Sequence, residues 1–314
     1  MLELLRLLTQ LRPRFRPLRE APFEAFAPWC LGQGLGPLVG YNLEYALPQL
    51  SAPRALREAL LSVFQETLDG NALRLAGFRK AMQPLEGRKL VLLGALSWTE
   101  ALYAHMGLRP LPEVSVLLAE EDVEAFAGYA RGRGYTEEVP MPHGACGLAD
   151  DGLVLGLYSR LPGVPRMPPQ LLAQALPKRV FGPSVFSLGL EDNLLVLCAR
   201  QYAEAYQGPW VDWVDMREAM LSLEVEASSL KAKALQWGIA HAVYASLTVL
   251  GRLFVGVDVQ AFLPKVPAEW ETHVHRWAEA FVALPEAVAQ DRHALAREEA
   301  QRFFEEVASR APMQ

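Results

Sequence analysis

Residues 89–118, KLVLLGALSWTEALYAHMGLRPLPEVSVLL, impose a strand, tight turn, helix, loop and second strand on the middle of the chain. Residues 89–93 are a short apolar run closed by Gly94, the pattern of a buried strand. Apolar residues then recur at helical spacing over 96–106, with Glu100 in the early turns, and Gly107 stops the helix. Pro110 and Pro112 hold the next residues extended. Residues 113–118 follow as a strand. Because strand side chains alternate, Glu113 and Ser115 share one face, and Val114 and Val116 the other.

Both flanks read as helical. In the N-terminal segment Leu4, Leu5, Leu8 and Leu11 share a helix face, with Arg6, Arg12, Arg14 and Arg16 near its end. A membrane-surface helix has this form, but a first bundle helix with a solvated basic end is the simpler reading. Gly32, Gly34, Gly36 and Gly40 imitate a phosphate loop without the preceding strand or the following Gly-Lys-Ser/Thr, and a helix connection explains them. Ser51 and Pro53 open a long helix that ends near residues 84–87.

Beyond the second strand, residues 119–135 give a helix with acidic first and basic last turns. Arg131 and Arg133 there complement the helix dipole or grip a phosphate. Residues 135–139 read as an edge strand, and 147–149 with 153–158 as a hairpin turning at Asp150, Asp151 and Gly152. The proline-rich passage 161–183 is expected to mark a domain boundary and to cross a cleft, with a short helix near 171–175. Helices resume from residue 187. The expected division is an N-terminal helical region over 1–86, an α/β core over 87–186 and a C-terminal helical bundle over 187–314.

With 51% hydrophobic and 21% charged residues, the chain has the balance of a globular protein with a sizeable core. A net charge of −6 argues against general nucleic-acid binding. Cys30, Cys146 and Cys198 are too few and too dispersed for a disulfide framework or zinc site, which points to a reduced, cytoplasmic location. No apolar run approaches the roughly 20 residues of a membrane helix.

The motifs along this frame carry a resemblance. Leu92, Leu93, Gly94, Ala95 and Leu96, then Gly107 to Pro110, then Glu113 to Leu118 resemble three motifs of the bacterial uncharacterised nucleotidyltransferase family, within the DNA polymerase beta-like superfamily. Those motifs are Leu-Leu-Lys-Gly-Ala-Ala-Leu, Gly-Leu-Arg-Pro and Asp-x-Asp-Leu-Leu-Val. The family's Lys is Leu93 here, its first Asp is Glu113 and its second is Ser115. Its Asp-Leu-His strand, source of a third carboxylate, corresponds to Gly156, Leu157 and Tyr158. Its Leu-x-Leu-Cys-x-His segment corresponds to residues 195–200, with Arg200 in place of His, and its Trp-x-x-Asp segment matches at Asp215.

The resemblance implies an α+β fold: a small mixed β-sheet nucleotidyltransferase-like core between N-terminal helices and a C-terminal helical bundle. It implies nucleotide-binding positions at Gly94, Ser97, Arg109 and Ser115, with a vestigial catalytic acid at Glu113. It also places Gly156, Tyr158, Asp212 and Asp215 near the cleft, the last two either lining it or bracing the bundle. Arg109 either contacts phosphate or pins its loop.

Two-metal nucleotidyl transfer uses carboxylates to hold Mg²⁺. Glu113, Ser115 and Gly156 reduce three negative charges to one. Replacement acids would have to come from Glu100, Glu120, Glu121, Asp122, Asp150 or Asp151, each explained by helix or turn chemistry. Other constellations are weaker: His143 and Cys146 lack further ligands, His273 and His275 diverge on a helix, and His241 reads as a core residue. Two functions remain open. One is a non-catalytic binding or regulatory module with no expected cofactor, whose partner is a nucleotide or a protein. The other is an active Mg²⁺-dependent enzyme transferring a nucleoside monophosphate to a small molecule or protein through Glu113 and displaced acids.

Overall fold

The computed structural model describes residues 1–18, 22–82, 88–135, 137–140, 146–150, 153–178, 180–222, 224–290 and 292–311. The N-terminal part supplies α1 (Leu2–Leu8), α2 (Phe23–Gly32), α3 (Gly36–Tyr41), which runs on into a π-helical turn (Asn42–Ala46), and the long α4 (Arg54–Met82). Then come β1 (Leu90–Leu93), α5 (Gly94–Leu102), β2 (Val114–Leu117), α6 (Glu120–Arg131), β3 (Glu137–Pro140), β4 (Cys146–Asp150) and β5 (Leu153–Tyr158). Next are α7 (Leu171–Gln174), β6 (Leu176–Pro177) and β7 (Val185–Ser187). The chain finishes with α8 (Leu190–Ala203), α9 (Val211–Leu221), α10 (Ala227–Gln236), α11 (Ala240–Leu253), α12 (Ala268–Val282), α13 (Leu284–Ala289) and α14 (His293–Ser309).

The strands form one mixed sheet in the order β3-β4-β5-β2-β1-β7-β6, so the fold is α+β. β1 pairs antiparallel with β2 and parallel with β7, while β2 pairs parallel with β5. Alternation divides the sheet between two cores. Leu90, Leu92, Val114, Val116, Leu155 and Leu157 point to the face covered by Phe126, Ala127 and Ala130 of α6 and Phe78 of α4. Val91, Leu93, Leu117 and Tyr158 join the larger helical core.

That larger core is continuous from α1 to α14, so the N-terminal and C-terminal helices share buried surface. Leu4, Leu5, Leu7 and Leu8 of α1 are buried in it, the bundle-helix arrangement rather than a membrane-facing one. The end of α1 is capped from elsewhere in the chain. Asn42 Nδ2 donates to the carbonyls of Leu8 and Gln10, and Arg217 Nη2 to that of Thr9. Gly40 lies where α3 crosses α4. A Cβ there would meet the Leu60 carbonyl oxygen at 2.2 Å, so close packing rather than phosphate binding accounts for it.

Three local expectations shift. The helix after Gly94 ends at Leu102, not at Gly107, because Tyr103 turns extended and a separate 3₁₀ turn (Met106–Leu108) follows. β6 and β7 arise within and just after the proline-rich passage, and Ser187 ends β7 instead of opening α8. At two and three residues, these strands are too short to show a period. The helix expected over 230–253 breaks at Gly238, whose φ is 73°.

Candidate functional site

The cleft forms where β1 hands over to α5. Gly94 has φ 60°, a left-handed conformation that glycine adopts without strain, and it turns the chain sharply off the end of β1. Leu93 pairs with Ser115 across β1 and β2, which brings this turn beside the Glu113 end of β2. Parallel pairing then sets Ser115 opposite Gly156 on β5. Adjacent strands lie about 4.8 Å apart, so residues 113, 115 and 156 form the compact triangle that three metal-binding acids would need.

The side chains in that triangle supply one carboxylate. Ser115 Oγ donates to Glu113 Oε1 at 2.6 Å, so the single acid is engaged within its own strand. Tyr158, two residues beyond Gly156 and on the same face, is 5% exposed and helps line the pocket. Burial pushes its phenol up to about 12, and the nearby Glu113 charge adds to the effect. Arg200 enters from α8, with Nη1 3.7 Å from where a Gly94 Cβ would sit. Burial works against its charge, but Asp212, Glu204 and Glu113 outweigh that and hold its pKa above the usual guanidinium value. With Trp98, Asn193 and Leu197 completing the walls, the remaining cavity is about 20 Å³. That is room for a single water, whereas sites for small organic ligands occupy roughly 300–1,000 Å³.

Behind the cleft lies a buried charge network. Arg109 is 3% exposed, Asp212 1% and Asp215 0%. Arg109 Nε donates to Asp215 Oδ2 at 2.8 Å, and Nη2 to Asp212 Oδ1 at 2.9 Å. Tyr103 donates its hydroxyl to Asp215 Oδ1 at 2.7 Å, and Arg200 and Gln201 each donate to Asp212 Oδ2 at 2.6 Å. Burial opposes the Arg109 charge, but Asp215 and Asp212 prevail and raise its pKa. Burial also pushes the Asp215 carboxyl up to about 6, with Arg109 and the Tyr103 hydroxyl pulling it down. The network therefore joins two arginines to two carboxylates and ties the 103–110 loop to α8 and α9.

A further anchor gave no signal in the sequence. Asn71 of α4 is fully buried, and its Nδ2 donates to the carbonyls of Met106 and Arg109. Its Oδ1 accepts from the Leu111 N–H. It clamps the same loop from the opposite side.

A sequence model described as uncharacterised nucleotidyltransferase matches residues 19–255, three quarters of the chain. The chain belongs to that family. No curated protein and no solved structure matches it. The match to the nucleotidyltransferase family runs from α2 to the end of α11 and leaves α12–α14 outside.

Within this nucleotidyltransferase-family domain, Glu113, Ser115, Tyr158, Gly94 and Arg200 line the cleft, and Gly156 lies in register beside Ser115. Ser97 is buried on α5, its hydroxyl without a hydrogen-bond partner, and does not line the cleft. Arg109, Asp212 and Asp215 lie behind the wall, in contact with one another. Among the displaced acids, Glu100 pairs with Lys178 and Asp122 with Arg88, and neither lines the pocket. Asp150 ends β4, and Asp151 and His143 fall outside the described residues. Arg131 pairs with Glu124 and Arg133 lies over the Tyr129 ring, both away from the cleft. His273 approaches Glu306, while His275 meets Tyr244 and Arg252, so the two have separate partners. His241 packs edge-on to Tyr202.

Among the described residues, no three His, Cys, Asp or Glu side chains come together to hold a metal. One carboxylate, a neutral hydroxyl already donated to it and a glycine do not fit a pair of Mg²⁺ ions, which demand several oxygen ligands in near-octahedral order. No helix among the described residues is long and apolar enough to cross a membrane.

Proposed function

We propose that this nucleotidyltransferase-family chain is a non-catalytic binding or regulatory module whose two-metal site has been dismantled. The observation that carries the reading is the triangle at residues 113, 115 and 156. The register places the three positions together, yet they supply a single carboxylate, and the space before them is about 20 Å³. The scaffold around the gap is intact. The Gly94 turn, the Arg109 network and the Asn71 clamp keep the loop and strands in place without any contribution to metal binding.

Arg200 supports the same reading. It brings a guanidinium into the pocket, the charge of which is balanced by Asp212 behind it. A positive group there partly fills the role of a cation beside Glu113, with no exchangeable coordination position. The module acts, in a cytoplasmic setting, through binding a protein partner or a nucleotide held outside this closed cleft.

The test is turnover with Mg²⁺ and each radiolabelled NTP, assayed for label transferred to the protein or to added acceptors. The wild type and Glu113→Gln should both give background incorporation. Metal-dependent transfer by the wild type that disappears in Glu113→Gln would establish the active-enzyme reading instead.

A further inference from the structure

At the other end of α5 from Gly94 a second cavity opens, with a volume of about 890 Å³. That is the size of a small-molecule site. Its aliphatic lining runs from the buried Leu7 and Leu108 through the half-buried Leu102 and Val257 to Leu221. Leu221 is 55% exposed and Val255 at the rim 81%, so apolar surface here is presented to solvent.

The charged lining of the cavity is mostly basic. Arg6, Arg12, Arg14, Arg16 and Arg217 line it against only Glu3 and Glu218. Two of these arginines hold the wall together. Arg6 donates to the carbonyls of Leu253 and Arg252, and Arg217 to Thr9 and Glu218 while lying over the Phe254 ring. Arg12, Arg14 and Arg16 are exposed and make no ion pair or hydrogen bond among the described residues. Prolines 13 and 17 interleave with them and restrict the backbone, so less freedom is lost when an anion is gripped. A concentration of positive charge on a chain of net charge −6 attracts an anion.

The composition of the walls selects the kind of anion. Only Phe15 and Phe254 are aromatic and Gln10 is the sole amide, too little for stacking and reading a nucleobase. An acyl chain would find exposed aliphatic side chains at Leu221 and Val255, and a carboxylate or phosphate head would find guanidinium donors suited to it. We infer that this cavity binds an anionic amphiphile, one acyl chain lying against Leu102, Leu221 and Val255 with its charged head among Arg12, Arg14 and Arg16.

The experiment is calorimetry on the full chain with decanoate and decyl phosphate, and with decyl maltoside as the uncharged comparison. Both anions should bind one per chain and the maltoside much more weakly. Arg14→Glu/Arg16→Glu and Leu221→Asp alter exposed positions, and circular dichroism should show each folded. Each should weaken anion binding by about tenfold or more. Co-sedimentation with phosphatidylglycerol vesicles, lost in the same variants, would assign the ligand to a bilayer lipid; its absence alongside decanoate binding would assign a free amphiphile. The inference is overturned if neither anion binds, if the maltoside binds equally well, or if Arg14→Glu/Arg16→Glu binds as the wild type does.

Discussion

Replacing Arg109 with methionine separates a structural arginine from one that meets a phosphate. Its guanidinium is 3% exposed and contacts two carboxylates that are themselves almost wholly buried. Asp212 would keep Arg200 and Gln201, but among the described residues Asp215 would retain only the Tyr103 hydroxyl. Removing one partner from a buried ion pair costs about 3–5 kcal/mol, mostly from the charge left behind. With unfolding entropy of about 2.1 cal/mol/K per residue over 314 residues, the melting temperature should fall by about 5–8 °C. Calorimetric and urea unfolding at pH 7 would measure this. The double variant Arg109→Met/Asp215→Asn should recover part of the loss, because the stranded charge is gone. A single variant within about 1 kcal/mol of the wild type, or strict additivity in the double, would show that Arg109 and Asp215 are not coupled as a buried pair.

Three further outcomes are expected. Asn71→Ala strands the Met106 and Arg109 carbonyls and the Leu111 N–H, and urea unfolding should show a loss of about 2–4 kcal/mol. Tyr103, Tyr158, Tyr202, Tyr206 and Tyr244 have raised pKa values, mainly through burial. Their folded values exceed the unfolded value near 10, so the stability they contribute is complete below about pH 10 and is lost as pH rises through the folded values. Phenolate absorbance from these five should therefore rise only well above pH 10, with stability falling over the same range; their full titration near pH 10 in a folded chain would contradict it. Burial holds the Cys30 and Cys198 thiols up at about 12, so iodoacetamide followed by peptide mass spectrometry should find them unmodified until the chain is denatured.

Much of the frame was legible from local pattern. The apolar run before Gly94 and the alternation after Pro112 specify β1 and β2, and a period of two suffices to put Glu113 and Ser115 on one face. The hairpin signal at residues 150–152 likewise places β5. What escaped notice depends on distant chain. Arg109 and its carboxylate partners are more than a hundred residues apart, and the distinction between pinning a loop and holding a phosphate rests on burial that no spacing encodes. Asn71 resembles any polar residue on a long helix until the 106–111 loop is seen to wrap it. The narrowing of the cleft by Tyr158 and Arg200 is a matter of volume, and the arginine-lined cavity exists only once residues 11–16 come together with α9 and residues 254–257. The strands β6 and β7 owe their conformation to pairing at the sheet edge rather than to any pattern of their own.

The proposed module keeps the backbone of a cation site without its ligands. Electron paramagnetic resonance titration of Mn²⁺ in the presence of ATP, on the wild type and on Glu113→Asp/Ser115→Asp/Gly156→Asp, tests it most directly. No more protein-bound Mn²⁺ is expected in the wild type than in Glu113→Gln, with bound Mn²⁺ in the triple variant. Stoichiometric Mn²⁺ on the wild type that Glu113→Gln abolishes would contradict it.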